Sequence, residues 1–115
     1  MKSLNKVQLL GHLGNDPEMR ATGAGDAVAN LSIATSVRYK DRETGDSKES
    51  TEWHRVVAFG KAAELIRDMF RKGSAIYVDG HLRTRNWEDK DAKQQYTTEI
   101  VVDEFIALEK RTEPA

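Results

Sequence analysis

Apolar and polar positions alternate with a period of two along five stretches of the chain, at about residues 4–13, 28–39, 52–59, 75–87 and 96–108. Successive side chains of a strand point to opposite faces, so this pattern predicts five half-buried strands. Between the third and fourth stretches the period changes. Ala62, Leu65, Ile66, Met69 and Phe70 recur at helical spacing, which predicts a helix over 61–72 with Arg71 and Lys72 at the negative end of its dipole and Gly73 as terminator. Residues 14–27, with Asp16-Pro17 and Gly23-Ala24-Gly25-Asp26, are rich in turn formers and have room for a short extra strand near 19–22.

Two connections, 40–50 and 88–94, are charged and almost free of apolar residues, and are expected to protrude as long, mobile hairpin loops. Five strands, a helix between the third and fourth, and long loops after the second and fourth make the layout of an all-β OB-fold, a five-stranded Greek-key barrel that often binds oligonucleotides. Fold alone does not establish function.

The third and fourth strands carry the chemistry. Trp53, Arg55, Val57 and Phe59 share one side of the third; Arg83, Arg85 and Trp87 share one side of the fourth, with Ile76, Val78, Gly80 and Leu82 opposite. Rings can stack on any nucleobase and guanidinium groups can fork onto phosphate, so the combination suits a single nucleic-acid strand with unpaired bases. A strand Trp or Phe more often fills a core. Two Arg at successive positions of one face speak against that reading, because burying an unpaired charge costs several kcal/mol. Surface ion pairs with Asp79, Glu52 or Glu99 are the structural alternative for the arginines, and such pairs contribute little.

At 115 residues the chain is long enough for one domain, taken as 1–110, with 111–115 a stub where a flexible tail would begin. The absence of cysteine removes disulfides, thiolate nucleophiles and zinc–thiolate sites. No signal-peptide pattern or membrane-length apolar run is visible, so a cytoplasmic protein with no membrane partner is expected. A net charge of -1 argues against a generic polyanion binder, but residues 53–87 hold seven Lys and Arg against three Asp and Glu. The positive excess coincides with the rings.

Asn5-Lys6-Val7, Gly14-Asn15-Asp16-Pro17-Glu18, Val28-Ala29-Asn30, Ala34-Thr35-Ser36, Thr51-Glu52-Trp53-His54-Arg55-Val56-Val57, Phe59-Gly60-Lys61, Arg71-Lys72-Gly73-Ser74, Leu82-Arg83-Thr84-Arg85 and Tyr96-Thr97-Thr98-Glu99 run in one order over nearly the whole chain. In these stretches it closely resembles the bacterial single-stranded DNA-binding proteins. The resemblance implies that Trp53, Phe59 and Trp87 stack on bases, with Tyr39 at an aromatic position where many relatives have Trp. It also implies that Arg55, Lys61, Lys72, Arg83 and Arg85, with Lys6 and Arg20, line the path of the phosphates. A homotetramer assembled from dimers is implied too, first strands pairing across a two-fold axis and His54 and Tyr77 near subunit contacts. The expected function is sequence-independent binding and protection of single-stranded DNA in replication, recombination and repair, in a nucleoid-associated protein. Relatives usually continue into a flexible linker and an acidic tip that recruits partners; this chain stops at Pro114-Ala115, so tail-mediated partners are not expected of it.

Other chemistries find less support. His12, His54 and His81 lack metal-ligand spacing, and Asp89-Lys90-Asp91 lacks the glycine and distal glutamate of a calcium loop, so neither metal nor cofactor is expected. Asn30-Leu31-Ser32 is a sequon inside a predicted strand, and Gly23-Ala24-Gly25 lacks a phosphate-cradling continuation. A small metal-dependent nuclease would need paired carboxylates at a recognisable site, and none is visible; no enzyme is expected. The remaining alternative is an OB-fold primosomal subunit or RNA-binding accessory protein whose rings meet protein or RNA.

Overall fold

The computed structural model describes residues 2–108; the expected stub at 111–115 lies outside them. The chain runs through β1 (Val7–Leu13), β2 (Glu18–Ala21), β3 (Ala27–Lys40), β4 (Ser47–Phe59), α1 (Gly60–Met69), β5 (Ala75–Glu88) and β6 (Gln94–Ala107). Neighbouring strands follow the order β1-β5-β6-β4-β3, and β1 meets β3 again at His12 and Leu13, which closes the sheet on itself. This is the expected five-stranded barrel of an OB-fold. The short β2 pairs with β3 outside the ring, and α1 joins the third and fourth barrel strands, β4 and β5.

Closure demands tight crossings. A Cβ on Gly11 would overlap the carbonyl oxygen of Ala34, so only glycine lets β1 run this close to β3. β1 is paired along its length with β5 but touches β3 only at its last two residues, so among the described residues the other edge of Val7 to Gly11 is unpaired. Among the described residues β4 and β6 form the one parallel contact, over Val56–Ile100 and Val57–Val101. Beyond that seam the pairs β3–β4 and β5–β6 leave the barrel as two-stranded ribbons, and most of their side chains are exposed.

Ile33, Val56, Ile76, Val78 and Ile100 fill the interior, α1 adds Ala63 and Ile66, and Phe70 follows at the end of the helix. The helix ends at Met69 rather than Lys72, because Phe70 turns extended (φ -120, ψ 150) and drops its ring edge-on to Phe105 at a centroid distance of 5.8 Å. The apolar stripe is therefore narrower than the sequence suggests. Leu65 and Met69 are exposed, and contact with the barrel falls to the small Ala63 together with Ile66 and Phe70. Leu82 shares its parity with Ile76 and Val78, as expected, but is exposed because β5 has already left the core there.

The two charged connections protrude, but as short turns rather than the long loops expected. Strand pairing continues to Lys40–Ser47 and to Glu88–Gln94, leaving short turns at 41–46 and 89–93. Each turn is held by one aspartate. Asp41 Oδ1 accepts the backbone N–H groups of Glu43 (2.8 Å) and Thr44 (3.3 Å), and Lys48 Nζ lies 3.0 Å from Oδ2. Asp89 Oδ1 accepts from the N–H groups of Asp91 (2.9 Å) and Lys93 (3.0 Å), and Oδ2 from Gln95 Nε2 (2.9 Å). Both carboxyls are held below the ordinary aspartate range, Asp41 chiefly by Lys48 and Asp89 chiefly by the N–H of Lys93.

Candidate nucleic-acid interface

The outward side of β4 forms the floor of a shallow groove of about 990 Å³. Trp53, Arg55, Val57 and Phe59 line it, as their period-two spacing requires, and β5 and β2 supply Arg83, Arg85 and Arg20. Four arginines and three carboxylates (Asp16, Glu18 and Glu99) border the groove, leaving a positive balance. Val57 is the buried member of the row; the rings on either side of it stay open to solvent, Trp53 61 % exposed and Phe59 38 %.

Backbone contact fixes the pose of Trp53. A Cβ on Gly14 would overlap Cζ3 of the indole and come within 2.9 Å of Cη2, so the ring lies against bare backbone. Gly14 is itself anchored, its N–H donating to the Ser32 carbonyl at 2.8 Å. An aromatic plane held this way remains accessible yet loses little freedom when a base stacks on it. Trp87 is oriented differently: its Nε1–H donates to Thr97 Oγ1 at 3.0 Å, and the ring is 45 % exposed on the β5–β6 ribbon.

Arg83 and Arg85 are not surface ion pairs. Both converge on Glu99, the one buried charged side chain among the described residues: Arg83 Nη2 donates to Oε2, and Arg85 Nε donates to Oε1 at 3.1 Å. The Arg83 guanidinium also lies 5.1 Å from the centre of the Phe59 ring, within cation–π range. Arg83 Nε is buried without a partner.

Other residues expected at the site are dispersed. Tyr39 is exposed, but belongs to the alternate set of β3 with Ile33, Thr35 and Val37, on the opposite face of the ribbon from Trp53. Lys61 sits exposed in the first turn of α1. Lys72 is exposed in the α1–β5 turn, its N–H donating to Asp16 Oδ1 at 2.8 Å. Arg20 lies 3.6 Å from Glu18. Lys6 is bound to Asp79 at 2.7 Å on the outer side of β1 and β5, away from the groove, and this hydrogen bond raises its pKa. His54 is half-buried, its Nε2 2.8 Å from Thr35 Oγ1. Tyr77 lies between Leu10 and Ile106 in a row across β1, β5 and β6, and its hydroxyl accepts from Gln8 Nε2 at 2.8 Å.

Two features have little or no signature in the sequence. Tyr96, 67 % exposed, faces away from Trp87 on the same ribbon, and its only signal is a ring in an otherwise polar run. The burial of Glu99 has no local signal. Among the described residues no three His, Asp or Glu converge as a metal site, and no helix is long and apolar enough to cross a membrane.

Comparison with known proteins places these features in a family. Residues 4–108 match the model of the Single-strand binding protein family. A solved structure described as Plasmodium falciparum SSB complex with ssDNA is 37 % identical, with a TM-score of 0.81 over 95 % of this chain and 98 % of that one.

Proposed function

This chain belongs to the single-strand binding protein family, and from that premise we propose that it binds single-stranded DNA without regard to sequence, through the groove on β4 and β5. One observation carries the reading. Trp53 and Phe59 present open ring faces in the same groove as Arg55, Arg83 and Arg85, so stacking and phosphate contact are offered along one track. Stacking on rings and contact with phosphate do not depend on which base is present, so affinity should vary little with base identity. The binding unit spans residues 1–110. Trp87, Tyr39, Lys61 and Lys72 extend the path over the ribbons and the α1 side, Arg20 borders the groove beside Glu18, and Lys6 enters the path only by giving up Asp79.

The action is passive: the strand is held open and shielded in replication, recombination and repair, at the nucleoid, with no turnover of the DNA. A homotetramer built from dimers fits the unpaired edge of β1 and the outward row of Leu10, Tyr77 and Ile106, which a second copy would cover. We assign the half-buried His54 to these contacts as well. Several chains offering one continuous track raise the effective concentration of each next contact.

Titration with oligo(dT), a matched RNA and a duplex, read by quenching of Trp fluorescence, tests the proposal. Strong quenching by oligo(dT), weakening with salt, is expected. Preference for duplex overturns it, preference for RNA favours an RNA-binding accessory role, and cleavage of a labelled strand in Mg²⁺ overturns passive binding.

A further inference from the structure

Glu99 is a carboxylate in a site that attracts a polyanion, an arrangement that simple charge counting disfavours. Its side chain is only 1 % exposed, so it cannot act as a solvated surface charge. Burying it carries a desolvation cost, and exchanging such a cluster for apolar residues is often neutral or stabilising, so fold stability explains it poorly. The geometry suggests another role. Oε2 takes Nη2 of Arg83 and Oε1 takes Nε of Arg85, so one rigid group sets the position of two guanidinium planes. Arg83 is thereby kept 5.1 Å from the Phe59 ring centre. Arg85 gives only its Nε to Glu99, and both terminal nitrogens remain for an outside acceptor.

We infer that Glu99 is a positioning residue for single-strand binding. It holds the forks of Arg83 and Arg85 in place before the strand arrives and fixes Arg83 beside the Phe59 stacking face. This rests on the proposed single-strand function and deepens it. An arginine already held in place loses less side-chain freedom on meeting phosphate, so the acidic residue strengthens binding to an acidic ligand. Positioning and simple charge therefore predict opposite signs.

The test compares wild-type protein with Glu99→Gln, Glu99→Asp and Arg85→Lys in oligo(dT) binding over a range of salt. Wild-type binding is read first; its absence defeats the single-strand reading itself, independently of any role for Glu99. Positioning predicts about tenfold weaker binding for Glu99→Gln, although a negative charge is removed. It also predicts a slope of log K against log salt shallower by about 0.7 for each arginine no longer engaged. Glu99→Asp, with charge unchanged and reach shortened, should weaken binding as well. Equal or tighter binding by Glu99→Gln, with an unchanged or steeper slope, overturns the inference. If both Glu99 variants fail to fold by circular dichroism, the exposed Arg85→Lys decides: a severalfold loss supports a fork held on the carboxylate, and wild-type affinity overturns it.

Discussion

Trp53 and Gly14 act as one unit, because the indole rests on backbone that only a residue without Cβ can present. Replacing Trp53 by Ala should weaken oligo(dT) binding by about 1–3 kcal/mol, the usual contribution of one base stacked on a ring, as measured by anisotropy of a labelled strand. The unfolding midpoint should hardly move, since the ring is mostly in solvent. Gly14→Ala attacks the same ring from beneath. It should shift the Trp emission spectrum and lower affinity with every side chain of the groove intact; unchanged emission and affinity would show that the support does not matter. Trp53 and Phe59 were legible because period two assigns faces without knowledge of the fold. Glu99 was legible only as one of three acids that could pair with the arginines, and its burial was not: which β6 residue lies opposite Arg83 depends on the irregularity near Asp79 and Gly80, where the pairing skips Asp103. No local pattern in Thr97-Thr98-Glu99-Ile100 reports that shift.

Helix α1 and the ribbon turns make separate predictions. Phe70 is buried against Phe105, so Phe70→Ala should destabilise the fold by about 3–5 kcal/mol in denaturant unfolding, whereas Leu65→Ala on the exposed side should cost less than about 0.5 kcal/mol. Spacing alone ranks these two alike; it misjudges them because a helix crossing a curved barrel buries a narrower stripe than one lying on a flat sheet. The turns respond to pH. Asp41 and Asp89 are held below their ordinary value of 3.8, so their hold on the tips is complete above that value and is lost as pH falls through the depressed one. Amide exchange at Glu43, Thr44, Asp91 and Lys93 should quicken in that acid window. In Asp41→Asn and Asp89→Asn variants it should be insensitive to pH beyond the intrinsic trend. Composition marked both segments as charged and protruding, but the turns are set by carboxylates capping backbone N–H groups, which composition does not report.

At the scale of the molecule, the free edge of β1 and the row Leu10, Tyr77 and Ile106 predict assembly. Leu10→Asp places a charge in the middle of that surface and should lower the particle mass in light scattering, while short oligo(dT) still quenches Trp53 within each chain. An unchanged mass would place the contact elsewhere. Strand count, helix position and barrel class were readable from periodicity; the closure at His12 and Leu13 and the two-residue parallel seam were not, because both are long-range pairings with no local pattern. Past that seam the ribbons have no layer packed beneath them, and two-stranded ribbons are marginal by themselves. On the proposed function a bound polynucleotide would supply a layer against them, so its arrival would further order the ribbons as well as occupy a site. Calorimetry over a range of temperatures should therefore report a more negative heat-capacity change than ring-on-base area accounts for, and truncating either ribbon should remove that excess.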